Sequence, residues 1–240
     1  MRIIEEIGRL LKAALPYAIV SKNDQGLFAD MLCYRDVQHA LDAGHTSVYV
    51  KNGTYNPINM RKTGTIIKGS RKAIISRGNL PTWALHCNNI DYCTFEGLTF
   101  ENGASSYTLL NINANYNLFS GCKILNNIGQ GFSLQQSDNM IFNCLCEGGN
   151  TWGITIDSAS NYNNIAGITT LNNAAGPVYM QTSTRNVTTC VQAHDTITTS
   201  NYVTQFDSST THNVVTNSIA DTGGYLGTLG TNLFNNHYTY

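Results

Sequence analysis

Three aspartates stand out in the part of this 240-residue chain that is poorest in charge: Asp138, Asp157 and Asp207. Asp157 and Asp207 share a local setting, Ile156-Asp157-Ser158 and Phe206-Asp207-Ser208. Glycoside hydrolysis needs two carboxyl groups ~5–9.5 Å apart, so the question is whether the fold brings such a pair together. The competing expectation is that each aspartate hydrogen-bonds its own turn, as Asp-Ser sequences commonly do. Trp152 lies close to Asp157 in sequence and offers a face on which a sugar ring could stack. No residue is assigned a catalytic role on this basis; Asp157, Asp207 and Asp138 are the candidates, with Trp152 as a glycan contact.

Metal chemistry has less to stand on. Cys144-Leu145-Cys146 has the wrong spacing for a zinc knuckle, and the chain has no paired Cys-x-x-Cys. His86 beside Cys87 is the one close couple, and neighbours on a strand point to opposite faces. Neither a metal nor a cofactor is expected. Six cations with no acid among them fall within residues 61–77: Arg61, Lys62, Lys68, Arg71, Lys72 and Arg77. Such a patch could dock an acidic protein or an anionic polymer. Nucleic-acid binding is not expected, because aromatic residues do not interleave these cations. The asymmetry is global. Residues 1–103 hold 12 Lys and Arg against 9 acids, net +3, whereas residues 104–240 hold 2 against 6, net −4.

The elements that must carry these residues follow from composition and spacing. Charged residues make up 12% of the chain, and 29 Asn and 27 Thr take their place. Asn, Thr and Gly are poor helix formers, which excludes bundles and coiled coils. Aromatics at 10% with net charge −1 exclude a disordered chain. Seven cysteines cannot all pair, and most lie in apolar runs as small hydrophobes, so a reducing site of synthesis is expected. Glu5, Glu6, Lys12 and Pro16 interrupt the N-terminal apolar stretch, so no signal peptide is read there. A membrane span needs ~20 apolar residues in a row, and no segment approaches that.

A weak repeat organises the chain after residue 45. Apolar anchors recur at Ile67, Phe95, Phe119, Phe142, Ile165, Val187 and Val214, stepping by 28, 24, 23, 23, 22 and 27 residues. Glycine follows several of them at the second position, as in Phe95-Glu96-Gly97 and Phe119-Ser120-Gly121. Three positions after five anchors comes a second column, Leu98, Cys122, Leu145, Ile168 and Cys190. Positions three apart do not share one face of a flat strand, whose period is two; they fit a chain that bends between them, where glycine is useful. A third column, Asn89, Asn115, Asn139, Asn161, Asn186 and Asn213, closes the polar turns. Asn tolerates left-handed backbone, and stacked amides can form ladders.

Short strands, polar turns and a repeat near 23 residues predict an all-β fold, a right-handed single-stranded parallel β-helix of about seven coils over residues 46–220. At ~4.8 Å per coil the rod is roughly 34 Å long. An antiparallel sandwich would instead show hairpin turns every 8–12 residues. Residues 1–45 read as an N-terminal helical cap or attachment segment: Ile3, Ile4, Ile7, Leu10, Leu11 and Ala14 line one helical face, and Asp36 and Gly44 bracket a second short helix. Residues 221–240 lose the repeat and read as a C-terminal cap or oligomerisation tail.

The helix Asp36–Gly44, followed by Ser47-Val48-Tyr49-Val50-Lys51-Asn52 and the turn Gly53-Thr54-Tyr55, resembles the entry to the pectin-lyase-like right-handed parallel β-helix superfamily. Gly64-Thr65-Ile66-Ile67-Lys68-Gly69 is similar to that superfamily's next coil. With the repeats, the resemblance covers about residues 36–220. It implies a scaffold shared by pectate lyases, polygalacturonases, phage tailspikes and other virion appendages, and says little about activity. Lyases of the superfamily use an Arg or Lys base beside acidic Ca²⁺ ligands; polygalacturonase-like hydrolases use clustered aspartates, a His and an Arg-x-Lys. After residue 103 this chain has only Lys123 and Arg185 as cations, with no Asp-Asp pair and no Arg-x-Lys. Those catalytic residues therefore do not carry over.

The reading that results is a non-catalytic structural component of a phage-like virion: a β-helical spike, fibre or capsid-decorating protein, made in the host cytoplasm. A homotrimer is expected, attached to other virion proteins through the N-terminal segment, with a host surface glycan as a further partner and no membrane contact. The alternative is a polysaccharide-degrading tailspike, lyase or glycosidase, or a carbohydrate-binding module.

Overall fold

The computed structural model describes residues 17–22, 33–78, 80, 82–101, 108–149, 151–157, 159–194, 204–207, 210–216, 218–220, 226–227, 233–235 and 238–239. Three parallel sheets run the length of the molecule, with eleven strands in sheet A, nine in sheet B and eight in sheet C. The chain visits them in the order A, B, C and then returns to A one coil further on. One coil reads Leu118–Ser120 in sheet A, Lys123–Leu125 in sheet B and Phe132–Leu134 in sheet C, before Met140–Phe142 opens the next. From Ser47–Val50 to Leu226–Gly227, twenty-four strands make eight such coils. The fold is a parallel β-helix.

Each bend has its own backbone solution. Between sheets A and B the chain turns within two residues, and the pivot sits in the left-handed region at Gly97, Gly121 and Gly167, with φ of 65, 60 and 65°. Asn143 and Cys190 occupy the same pivot at 50 and 53°. Glycine takes this conformation without penalty, which is why it marks most of these bends.

Inward residues stack in register. In sheet A, Phe95 pairs with Phe119, Phe119 with Ile141, Ile141 with Ile165, Ile165 with Thr188 and Thr188 with Val215. All six are fully buried. Phe142, Val187 and Val214 therefore do not belong to the inner column: their neighbours Ile141, Thr188 and Val215 do, and they face outward. The second column is corrected likewise, with Cys144 and Val191 inside instead of Leu145 and Cys190. Two adjacent apolar residues leave the inside–outside choice open in sequence, and pairing with the preceding coil settles it.

The asparagine turn between sheets C and A is a ladder, shifted from the expected positions. Cys93 N–H donates to Asn117 Oδ1 at 2.9 Å, Asn117 N–H to Asn139 Oδ1 at 3.0 Å, Asn139 N–H to Asn163 Oδ1 at 2.9 Å, Asn163 N–H to Asn186 Oδ1 at 2.8 Å and Asn186 N–H to Asn213 Oδ1 at 2.9 Å. Asn115 and Asn161 form a second, outer set with Ser137 and Thr184. Asn89 is exposed and stands outside both.

At the N-terminal end, the short helix Val37–Asp42 buries Val37, Ala40 and Leu41, and Asp36 caps it by accepting from Gln38 N–H at 3.2 Å. The segment 1–45 is not purely helical. Ala18–Val20 and Cys33–Tyr34 are strands that pair in parallel with each other and, through Ala18–Val20, with Ser47–Val50. The predicted first helix, residues 3–14, lies outside the described residues. At the other end the repeat does not dissolve at 221: Leu226–Gly227, Leu233–Asn235 and Tyr238–Thr239 continue sheets C, A and B in turn. Irregular spacing hides them in the sequence.

None of the seven cysteines is in a disulfide; five are buried, with Cys33 half-buried and Cys190 exposed. Burial pushes the Cys87 thiol well above its usual value. Under native conditions a maleimide is expected to label Cys190 first, and Cys87, Cys93, Cys122, Cys144 and Cys146 only after unfolding. Mass spectrometry of the labelled peptides checks the order; early labelling of Cys146 would contradict the coil arrangement.

Candidate functional site

The outer face of sheet C brings together several of the residues that could do chemistry. Along one row, Asn59, His86, Asn111, Ser133, Thr155, Tyr179 and Gln205 follow each other in register, one per coil. Their alternates, such as Leu110, Phe132, Ile154 and Val178, are core residues, so this row faces away from the core. In its middle the small side chains Ser133 and Thr155 are each only 1% exposed, forming a floor between larger neighbours. Asn111 Oδ1 and Thr155 Oγ1 are buried without a hydrogen-bond partner.

Aromatic pairs stand along this face. Trp152 stacks on Tyr179, with ring centroids 5.2 Å apart and planes at 19°. Gly176 makes this stack fit: a Cβ there would come within 2.6 Å of the Trp152 ring. Towards the N-terminal end Trp83 stacks on His86 at 4.3 Å and 24°. Burial lowers the His86 pKa below the ordinary histidine value, which favours the neutral ring.

The two aspartates arrive at equivalent positions. Ile156 pairs with Met180 and Met180 with Phe206, so Asp157 and Asp207 each follow a paired residue directly and stand two coils apart. Two rises place their backbones ~9.6 Å apart. Both side chains reach back to the preceding coil. Asp157 Oδ2 accepts from Ser133 Oγ at 2.6 Å. Asp207 Oδ2 accepts from Thr182 N–H at 2.9 Å and Thr182 Oγ1 at 3.1 Å. Tyr179 lies within the field of both. Its pKa is raised by burial first, then by Asp207 and Asp157.

Asp138 is not part of this face. It sits in the turn between sheets C and A, at φ 61°. The basic patch is also dispersed. Arg77 is 1% exposed, its Nη1 donating to Thr82 O at 2.8 Å, and so cannot dock anything. Arg61 pairs with Asp42 at 3.4 Å, Lys68 with Glu96 at 2.8 Å, and Lys62 donates to Gly44 O at 3.2 Å. Arg71 and Lys72 remain exposed at the bend before Ala73–Ser76. Because these cations spread over different turns and faces of the coil, their closeness in sequence does not make a surface cluster.

Tyr179, Ser133 and the Trp83–His86 pair were not singled out by spacing. Their signal was present once the coils are aligned, since each falls in the outward row of a known core strand. Among the described residues no group of three or more His, Cys, Asp and Glu could hold a metal ion, and no helix is long and apolar enough to cross a membrane.

No family model and no curated protein matches the chain. Solved structures do. The catalytic domain of a GH87 alpha-1,3-glucanase in complex with nigerose is similar at a TM-score of 0.61 and 17% identity over 88% of this chain and 47% of that one. This chain thus spans about half of the glucanase domain. A pectin methylesterase in complex with hexasaccharide VII gives a TM-score of 0.60 at 13% identity, covering 94% of this chain and 90% of that one. Carrot pectin methylesterase gives 0.50 at 13% identity, covering 94% and 83%. At these identities the likeness speaks for the fold alone, the parallel β-helix.

Proposed function

We propose that the protein is a carbohydrate-engaging β-helix that holds an uncharged polysaccharide along the outer face of sheet C. The observation that carries this reading is the Trp152–Tyr179 stack, whose Tyr179 lies in the field of Asp207 and Asp157 and follows the small polar side chains Ser133 and Thr155 in register. Parallel rings offer flat apolar area to a pyranose, and the asparagine, glutamine and aspartate side chains beside them match its hydroxyls. The described strands of sheet C contain no Lys or Arg, while Asp157 and Asp207 flank its edge. That balance disfavours a polyuronate and favours a neutral glycan. The neighbouring glucanase and pectin methylesterase structures hold saccharides, in keeping with this use of the scaffold.

The register of Asp157 and Asp207 favours a second reading, hydrolysis of the same polymer. An acid and a base separated by one glycosidic bond and a water stand ~6.5–9.5 Å apart in inverting enzymes. Two coils give that order of spacing.

Affinity electrophoresis against neutral α- and β-glucans and against polygalacturonate tests both readings. Retention by a neutral glucan is expected, and Trp152→Ala is expected to weaken it about tenfold, the value of one aromatic stack. Preference for polygalacturonate, or retention unchanged in Trp152→Ala, would overturn the assignment. New reducing ends that vanish in Asp157→Asn and in Asp207→Asn would establish hydrolysis; binding without product leaves a binding module. A place on a virion is a further proposal, supported by the absent superfamily catalytic motifs, and the protein should then copurify with particles.

A further inference from the structure

Sheet A and the turn leading into it present an exposed face of a different kind. Most of the nine large hydrophobic side chains exposed among the described residues lie here, among them Tyr49, Ile66, Tyr92, Tyr116, Met140, Tyr162 and Val187. A contiguous apolar stripe of this sort marks an interaction surface more often than chance exposure. The turn supplies one outward residue per coil, in the order Tyr92, Tyr116, Asp138, Tyr162, Arg185 and His212. All six adopt left-handed backbone with φ of 57 to 61°. Two residues after each comes the outward row of sheet A, where Leu118, Met140, Asn164, Val187 and Val214 stand in register.

Both rows are nearly symmetric about one coil, that of Tyr162 and Asn164. One coil to either side stand Asp138 and Arg185, which are opposite in charge, and Met140 and Val187, which are both apolar and exposed at 46% and 37%. Two coils to either side stand Leu118 and Val214. A two-fold axis lying in this face along the strand direction reverses the rod and leaves strand positions unchanged. It therefore places each residue opposite its mirror in the list: Asp138 against Arg185 twice, Met140 against Val187 twice, and Tyr162 against itself. A parallel pairing through the same face would instead set Asp138 level with Asp138 and Arg185 level with Arg185. Like charges facing each other select against it. Arg185 is already held in the face, since its guanidinium lies 5.5 Å above the Tyr162 ring and bonds the Tyr162 hydroxyl.

We propose that a second copy of this chain covers the face, giving an antiparallel, two-fold dimer centred on Tyr162. The arrangement is isologous, each copy using the same patch. It differs from the homotrimer expected from the sequence, and it leaves sheet C open. Overlapping coils span about 30 Å of rod. A face of that size is at the small end of specific interfaces, on the order of 1,000 Å² in total, so the dimer should be concentration-dependent.

Sedimentation equilibrium of the full chain, from about 1 µM to about 1 mM to cover a weak interface, is expected to show a monomer–dimer equilibrium. Asp138→Arg and Arg185→Asp should each lower the association constant at least tenfold, and the double charge swap should restore it to within about threefold. The rescue separates a charge pair across the axis from the loss of the Arg185–Tyr162 contact, which the swap does not restore. If either single variant melts early, Met140→Lys, at an exposed strand position, should weaken association in the same way. A monomer at every concentration, a trimer, or a dimer that neither the charge reversals nor Met140→Lys disturb would overturn the proposal. So would a double swap that fails to rescue while all variants keep the wild-type circular dichroism and melting temperature.

Discussion

Asn139→Ala is expected to destabilise the protein by about 3–5 kcal/mol. The side chain is fully buried and uses all of its hydrogen-bonding capacity. Its Oδ1 accepts from the Asn117 N–H at 3.0 Å and from Asn117 Nδ2 at 3.3 Å. Its Nδ2 donates to three carbonyls, those of Ala114, Gln136 and Ser137, at 3.0 to 3.2 Å. Removing it orphans the buried Asn117 N–H and the buried Ala114 carbonyl and strips a donor from two part-buried carbonyls, and each orphaned buried group costs about 1–3 kcal/mol. Because the orphans share one small space, a trapped water would repay part of the loss, so the sum is not additive. Urea unfolding gives the value, and a double-mutant cycle with Asn163→Ala tests the ladder directly. The two losses should couple by at least about 0.5 kcal/mol. A change below about 1 kcal/mol in Asn139→Ala would show that the ladder is decoration.

Phe119→Ala is expected to remove a similar amount, about 3–5 kcal/mol, through an unrelated mechanism. Phe119 stacks on Phe95 with centroids 4.8 Å apart and planes at 12°, and meets Phe132 edge-on at 5.2 Å and 77°. The cavity left by the ring would be bounded along the rod by Phe95 and Ile141, whose strands are held at a fixed spacing by pairing and cannot collapse into it. Further along the same column, Thr188 occupies the equivalent inward position, and its buried hydroxyl has no hydrogen-bond partner. Thr188→Val should therefore stabilise the protein, by about 1 kcal/mol, since an unpaired buried hydroxyl is replaced by a methyl group. Thermal melting of both variants is decisive. Opposite signs are expected from one column, and equal signs would mean that the stack does not continue through Thr188.

Much of the architecture was legible in the residue pattern, for reasons the coils make plain. Phe95, Phe119 and Ile165 could be aligned because glycine two positions later marks the same bend each time, and a bend that needs left-handed backbone leaves a visible residue preference. Where Asn143 or Cys190 takes the bend, the marker is lost. There the reading slipped by one residue, to Phe142 and to Cys190 itself. The asparagine ladder was read two residues off at Asn115 and Asn161, because this chain carries two asparagines per turn, at 115 and 117 and at 161 and 163. Only burial tells the inner from the outer. The candidate face was visible in part. Equivalent positions for Asp157 and Asp207 follow from local sequence, but Tyr179 and Ser133 become partners only once coils are stacked. The cations at 61–77 show the converse. Charge density along a chain says little about charge density on a coil, where consecutive residues are distributed over three faces and a core.

The inner column of sheet A changes character along the rod, from the larger Phe95, Phe119, Ile141 and Ile165 to the smaller Thr188 and Val215, and the sheet B and C columns pass likewise to Thr170, Ala193 and Thr204. Every coil touches only its two neighbours, so cohesion is a chain of local couplings, as in a one-dimensional spin model. Couplings that weaken in one direction impose a polarity on melting. The C-terminal coils should fray at temperatures where the phenylalanine-filled coils still hold, and a calorimetric transition should be broader than a single cooperative step. Hydrogen exchange would then run as a front travelling from the threonine end towards the aromatic one.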